Sequence, residues 1–186
     1  MTTNNREIEV RFLEIDESSL VNKLGQLGAQ DLGEELLKEV IFYGQGVSYA
    51  DKKFVRLRQE RVGIRLTFKH HEKMLVDGAR EIEVMVSDFN KTREMLEVLG
   101  FTARREQEKK RHAFKLAGVE VDIITWPTIP TLVELEGASE QALKQAAAAL
   151  DLDWGQVVLE ENAGLIENRY HIPLSKIKIF TFSKIE

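Results

Sequence analysis

Cysteine is absent from this chain of 186 residues. Disulfides, thiolate-held zinc and a cysteine nucleophile are therefore excluded, as suits a protein of a reducing compartment. Glycine never takes the spacing of a phosphate-cradling loop: Gly44-Gln45-Gly46 is a turn, and no Walker-type motif occurs. No apolar run is long enough for a signal peptide or a membrane span, and the polar start, Met1 to Asn5, leads directly to Glu7 and Glu9. A cytoplasmic protein with no membrane partner is expected. An excess of basic charge is also missing. With 31 acidic against 26 basic side chains, the net charge of -5 argues against nucleic acid held by bulk charge. No linker rich in proline, serine or glycine divides the chain, so one domain is expected over 1–186, with a core over 7–150 and a helix-and-strand extension over 151–186.

What the chain does have is charge sorted along strands. In Glu7-Ile8-Glu9-Val10-Arg11-Phe12 the period of two puts Glu7, Glu9 and Arg11 on one face and Ile8, Val10 and Phe12 on the other. Arg56 and Arg58 oppose Val55 and Leu57. Arg65, Thr67 and Lys69 oppose Ile64, Leu66 and Phe68, with Arg61-Val62-Gly63 as the hairpin turn between the two strands. Glu81-Ile82-Glu83-Val84 repeats the opening pattern. Lys109, Arg111 and Lys115 then oppose His112, Phe114 and Leu116, Glu120 and Asp122 oppose Val121 and Ile123, and Glu134 and Glu136 oppose Val133 and Leu135. Leu36 to Tyr43 and Ile177 to Phe182 read as further strands.

Helices are expected over Ser18–Gly28, Asp88–Gly100, Ser139–Leu150 and Asn162–Tyr170, from capping residues and leucines at helical spacing. An acidic strand followed by a helix thus occurs three times, as in an internal repeat. The spacing predicts an α+β protein: an eight-stranded antiparallel sheet curled or closed into a β-barrel, with helices packed outside.

Two arrangements satisfy these sorted faces. An antiparallel sheet facing water would pair them as cross-strand salt bridges. A closed barrel with the same faces turned inward would need the charges matched across strands or by a ligand. A polyphosphate with a divalent metal would match both signs: arginine and lysine bind phosphate oxygens, and carboxylates hold Mg2+ or Mn2+.

Glu7-Ile8-Glu9-Val10-Arg11 resembles the ExExK signature of the CYTH superfamily, the triphosphate tunnel metalloenzymes, which include class IV adenylyl cyclases, thiamine triphosphatases and inorganic triphosphatases. The later blocks follow in similar order: Arg56-Leu57-Arg58, Thr67-Phe68-Lys69, Arg80-Glu81-Ile82-Glu83, Lys109-Lys110-Arg111, Asp122 and Glu134-Leu135-Glu136. The resemblance implies a closed tunnel with one side for triphosphate and the other for metal. It gives Glu7, Glu9, Glu134 and Glu136 as metal ligands for Mg2+ or Mn2+, with Glu83 and Asp122 supporting. Arg11, Arg56, Arg58, Lys69, Lys109 and Arg111 would bind the triphosphate, with catalytic roles for Arg11 and Lys69. A homodimer is also implied.

Arg11 departs from the pattern, because a planar guanidinium stands where the signature has a compact ammonium. Phe42-Tyr43-Gly44 departs too, lacking the acid that many relatives carry there. The activity implied is a metal-dependent triphosphatase acting on a nucleoside triphosphate, thiamine triphosphate or tripolyphosphate. The alternatives are a class IV adenylyl cyclase making cyclic AMP and pyrophosphate, and a module that binds polyphosphate or nucleotide without turnover. Arg65 and Lys115 read as rim charges, Glu81 and Glu120 fit either arrangement, and Trp126, Trp154 and the four histidines read as structural or solvated.

Overall fold

Strands that are apolar on one face and charged on the other must bury the first and solvate or pair the second. The computed structural model describes residues 6–71 and 79–186, with the side chains of Arg6 and Glu7 outside the description. In chain order the elements are β1 (Arg6–Glu7), β2 (Glu9–Phe12), α1 (Glu17–Gln26), β3 (Gln30–Tyr43), β4 (Lys53–Glu60), β5 (Gly63–His71), β6 (Ala79–Val86), α2 (Phe89–Val98), β7 (Thr102–Leu116), β8 (Val119–Thr125), β9 (Leu132–Glu136), α3 (Glu140–Ala149), α4 (Asn162–Tyr170) and β10 (Ile179–Phe180). The pairing path is β1-β6-β5-β4-β3-β7-β8-β9-β2, antiparallel throughout.

Both ends of this path belong to one extended segment, because only Ile8 separates β1 from β2. The sheet therefore curls into a barrel. Its seam is thinner than a fully closed barrel would have: β1 meets β6 through Arg6↔Arg80 and Glu7↔Ala79 alone. Each expected strand–helix repeat is present, as β2–α1, β6–α2 and β9–α3, and Asp16, Asp88 and Ser139 cap the three helices through their side chains.

The helices cover the apolar faces from outside. α1 and α3 bury Leu20, Leu24 and Leu143 against Val10, Phe12, Val121, Val133 and Leu135. α2 brings Leu96 onto Val40, Phe42, Val55 and Leu57. With the apolar faces committed outward, the charged faces turn inward, and the period of two leaves them no other choice. One end of the interior is filled differently: Ala163, Leu165 and Ile166 of α4 pack with Ile124, Trp126, Leu132 and Phe180.

Three strands differ from the sequence reading. β3 begins at Gln30 and β7 at Thr102, well ahead of Leu36 and Lys109, because the two pair along their whole length. The last strand shrinks to Ile179–Phe180, pairing parallel with β7. The segment His70 to Gly78 reads as a polar loop in the sequence; His70 and His71 instead end β5, and residues 72–78 lie outside the described residues. No helix among the described residues is long and apolar enough to cross a membrane.

Candidate functional site

The inward faces enclose an open cavity of about 580 Å³. Arg56 and Arg58 of β4, Lys69 of β5, Lys109 and Arg111 of β7 and Arg11 of β2 line it. So do Glu9, Glu83, Asp122, Glu134 and Glu136. Every candidate read from the sequence whose side chain is described therefore borders one space. The Glu7 side chain is not described.

The register explains how the signs are distributed. Across β2, β9 and β8 one row reads Glu9↔Glu136↔Glu120, and the next reads Arg11↔Glu134↔Asp122. Directly opposed residues in an antiparallel sheet have Cβ atoms about 5 Å apart, so the first row sets like charges side by side. Across β3, β4, β5 and β6 the rows are Glu39↔Arg58↔Arg65 and Arg56↔Thr67↔Glu83, with Lys69↔Glu81 next.

Arg11 is 3% exposed and, from the second row, reaches carboxylates of both. Its Nε donates to Glu134 Oε1 at 2.6 Å, Nη2 to Glu9 Oε1 at 2.7 Å, and Nη1 to the Glu160 carbonyl at 3.1 Å. Lys69 Nζ reaches the same Glu9 oxygen at 3.3 Å and Glu81 Oε2 at 3.4 Å. Burial opposes ionisation of Glu9, but Arg11 and Lys69 hold its carboxyl well below the usual carboxylate range. Glu134 is held down in the same way by Arg11 and Lys109.

Across the cavity, Arg58 contacts Glu60 and lies 3.7 Å from Glu39, and Arg111 pairs with Glu35 at 2.6 Å and Asp122 at 3.4 Å. Lys109 is different. It is 5% exposed, and its ammonium has no carboxylate within 4 Å among the described residues. Its nearest feature of note is the Trp126 ring, 5.4 Å from Nζ to centroid. Burial pushes its pKa down.

Among the described residues no group of three or more His, Asp or Glu side chains stands close enough together to hold a metal ion. Arg11 separates Glu9 from Glu134, and Arg65 and Thr67 engage Glu83.

Residues 5–162 match the CYTH domain model. The chain belongs to the CYTH family.

Among curated proteins, this CYTH chain is 25% identical over 132 residues to a Methanocaldococcus jannaschii protein named as a candidate adenylate cyclase, covering 70% of the chain and 75% of that relative. A structure from Vibrio parahaemolyticus, also described as a candidate adenylate cyclase, superposes with a TM-score of 0.75 at 15% identity, covering 89% of this chain and 99% of that one. A Pyrococcus furiosus protein described only as conserved and hypothetical gives 0.70 at 24% identity, with 84% and 97% covered. A Hippeastrum protein, titled as a candidate adenylyl cyclase with a dominant triphosphatase activity, gives 0.63 at 15%, with 90% and 98% covered. These likenesses establish the CYTH fold.

Several residues of the CYTH cavity were missed by the sequence reading. Glu39, 3% exposed, lies between Arg56 and Arg58 and accepts from Gln107; burial works against its charge, yet Lys109, Arg56 and Arg58 bring its pKa down to about 2. It shares its face with Leu37 and Ile41, so the strand read over Leu36 to Tyr43 offered no charge contrast that would single it out. Glu60 is also buried beneath Arg58 and Arg65, and Arg65, read as a rim charge, lines the cavity. Lys115 does stay exposed. A second, much smaller chamber of about 50 Å³ adjoins the first and shares Arg56, Lys109 and Asn162 with it; Tyr43, Tyr49, Phe54, Trp126 and Arg105 line it.

Glu136 gives a pH prediction. Partial desolvation against the wall, then the neighbouring charges of Glu9 and Glu120, raise the pKa of this still exposed side chain from 4.5 to about 7. Between those values the folded protein keeps a proton that the unfolded chain releases, so stability is lost as pH rises through that window. Because water screens this exposed group, only part of the full linkage is expected to appear: in EDTA the melting temperature is expected to fall by about 3 °C from pH 5 to pH 8, and Glu136→Gln to remove that fall. An equal fall in the variant would contradict the assignment.

Proposed function

We propose that this CYTH chain is a divalent-metal-dependent enzyme that acts on a triphosphate as a phosphohydrolase. The observation that carries the reading is Lys109, a buried ammonium without an ion pair within 4 Å among the described residues, beside Arg56, Arg58 and Arg111. A charge removed from water is costly unless matched, and an anionic ligand of several charges is what this wall would match.

The donor set suits Mg2+ or Mn2+. Glu9, Glu134, Glu136 and Asp122 offer only hard carboxylate oxygens, and Glu136 has no cation partner among the described residues, its neighbours Glu9 and Glu120 adding repulsion that a cation would relieve. Glu136, with Glu120, would hold the ion. When bound, the ion supplies Lewis-acid neutralisation of phosphate charge.

The chain's own residues do the remainder. Arg56, Arg58, Lys109 and Arg111 grip the non-reacting phosphates and offset the charge that builds on the departing diphosphate as water attacks the terminal phosphorus. Lys69 and Arg11 sit at the boundary between the basic and acidic walls, where the reacting phosphate would lie.

A second reading, conversion of ATP to cyclic AMP and pyrophosphate, is favoured by one feature. Aromatic side chains, Tyr43, Tyr49, Phe54 and Trp126, line a narrow chamber beside Arg56 and Lys109, next to the phosphate wall, and could stack on a base. Incubation with ATP, thiamine triphosphate or tripolyphosphate, each with Mg2+ or Mn2+, separates the readings. Inorganic phosphate is the expected product. Cyclic AMP with pyrophosphate would favour the cyclase, and binding without product would overturn both in favour of a capture module.

A further inference from the structure

Arg11 has more contacts than a phosphate ligand needs. Its three donor nitrogens are all used within the protein, on Glu134, on Glu9 and on the Glu160 carbonyl, at 2.6, 2.7 and 3.1 Å. The side chain is 3% exposed, and the flanking carboxylates are 11% and 14% exposed. Asn162 Nδ2 also donates to the Glu134 oxygen, at 3.1 Å, and Lys69 to the Glu9 oxygen. The inner carboxylates thus already have a cation between them. A guanidinium can do this because its planar fork presents donors in several directions at once, which a compact ammonium of the same chain position does not.

We propose that Arg11 is a fixed internal cation that withholds Glu9 and Glu134 from divalent metal, so that metal enters this site only as the preformed Mg2+ or Mn2+ complex of the triphosphate. This rests on the function proposed above and narrows it. Magnesium sites commonly combine one or two carboxylates with substrate phosphates, and the carboxylates that Arg11 leaves without a guanidinium, Glu136 and Glu120, suffice for that arrangement. A protein that held its metal beforehand would need the inner pair as well. Arg11 would have to leave it.

The test is Mn2+ binding to the full chain followed by electron paramagnetic resonance of free Mn2+, with no triphosphate present. Wild type is expected to leave added Mn2+ largely free, and Glu9→Gln is expected to leave that weak affinity unchanged; in calorimetry the preformed Mn2+–tripolyphosphate complex is expected to bind wild type at least about tenfold more tightly than Mn2+ alone. Arg11→Ala, which frees the inner pair, is expected to tighten triphosphate-free Mn2+ binding about tenfold, and adding Glu9→Gln to it to abolish the gain. Should Arg11→Ala not fold, Arg11→Lys carries the same expectation in the same direction. Tight Mn2+ binding by wild type that Glu9→Gln or Glu134→Gln removes would overturn the proposal, as would no gain in either Arg11 variant. Failure of the triphosphatase reading would appear separately, as absent tripolyphosphate binding or turnover, and these Mn2+ titrations do not depend on it.

Discussion

Lys109→Met is expected to weaken tripolyphosphate binding about 100-fold while leaving the protein as stable as before or more so. The two effects have opposite signs for one reason. In the ligand-free protein the ammonium is 5% exposed without a carboxylate within 4 Å among the described residues, and burial lowers its pKa, so its charge is a cost to the fold. An apolar side chain of similar length removes that cost. With triphosphate bound the same charge makes a charge-assisted hydrogen bond in a site shielded from water. Such bonds contribute about 1.5–3 kcal/mol, and about 2.7 kcal/mol corresponds to 100-fold in affinity. Isothermal titration with tripolyphosphate and a thermal melt of the same sample measure both. Weaker binding with a large loss of stability would mean that Lys109 is structural, and unchanged binding would remove it from the site.

Arg11→Ala is expected to have the largest effect on stability of any single change at the cavity wall, about 3–5 kcal/mol, or roughly 10 °C in melting temperature for a chain of this size. Truncation leaves Glu9 and Glu134 in place, 11% and 14% exposed, facing each other across the space the guanidinium filled. The sign of the pH dependence follows from the Glu9 carboxyl, held well below its ordinary pKa by Arg11 and Lys69 against the effect of burial. Stabilisation from a depressed carboxylate is present above the unfolded pKa and is lost as pH falls through the folded one. The gap between wild type and variant is therefore expected to be full at pH 7 and to narrow in strong acid. Chemical denaturation of both proteins at pH 7 and at about pH 3 checks this. A gap below about 1 kcal/mol at pH 7 would mean that the ion pairs behave like exposed surface pairs.

Which side chains face the cavity was legible in the sequence wherever a strand carried charge on one face only. Arg56 and Arg58, Lys109 and Arg111, Glu134 and Glu136 each alternate with residues that helices cover, and once a strand forms, its period of two fixes the rest. The first halves of β3 and β7 carry no such contrast. Leu32 and Leu36 of β3 stay exposed, with no helix among the described residues covering them, and Thr102 to Glu108 is charged on both faces, so neither segment announced itself as a strand. Glu39, Arg105 and Gln107 came into view only through the long β3–β7 register, which joins residues some 70 positions apart and has no local signature. The helix over Asn162–Tyr170 was readable, but its docking against Ile124 and Leu132 at the end of the barrel was not, since that depends on the path of the chain after Leu150. Arg11 was noticed as a departure from the family signature. That it would join Glu9 to Glu134 required Arg11↔Glu134 to be cross-strand partners.

The central claim is that bases from β4, β5 and β7 form a single anion-binding wall matched to a chain of linked phosphates. Calorimetric titration of the wild-type protein with tripolyphosphate and, in parallel, with orthophosphate, both in Mg2+, tests it most directly. One tripolyphosphate per chain, bound at least about 100-fold more tightly than orthophosphate, is the result this account predicts, because several charge-assisted contacts act on one ligand. Equal affinity for the two anions, or no binding of either, would contradict it.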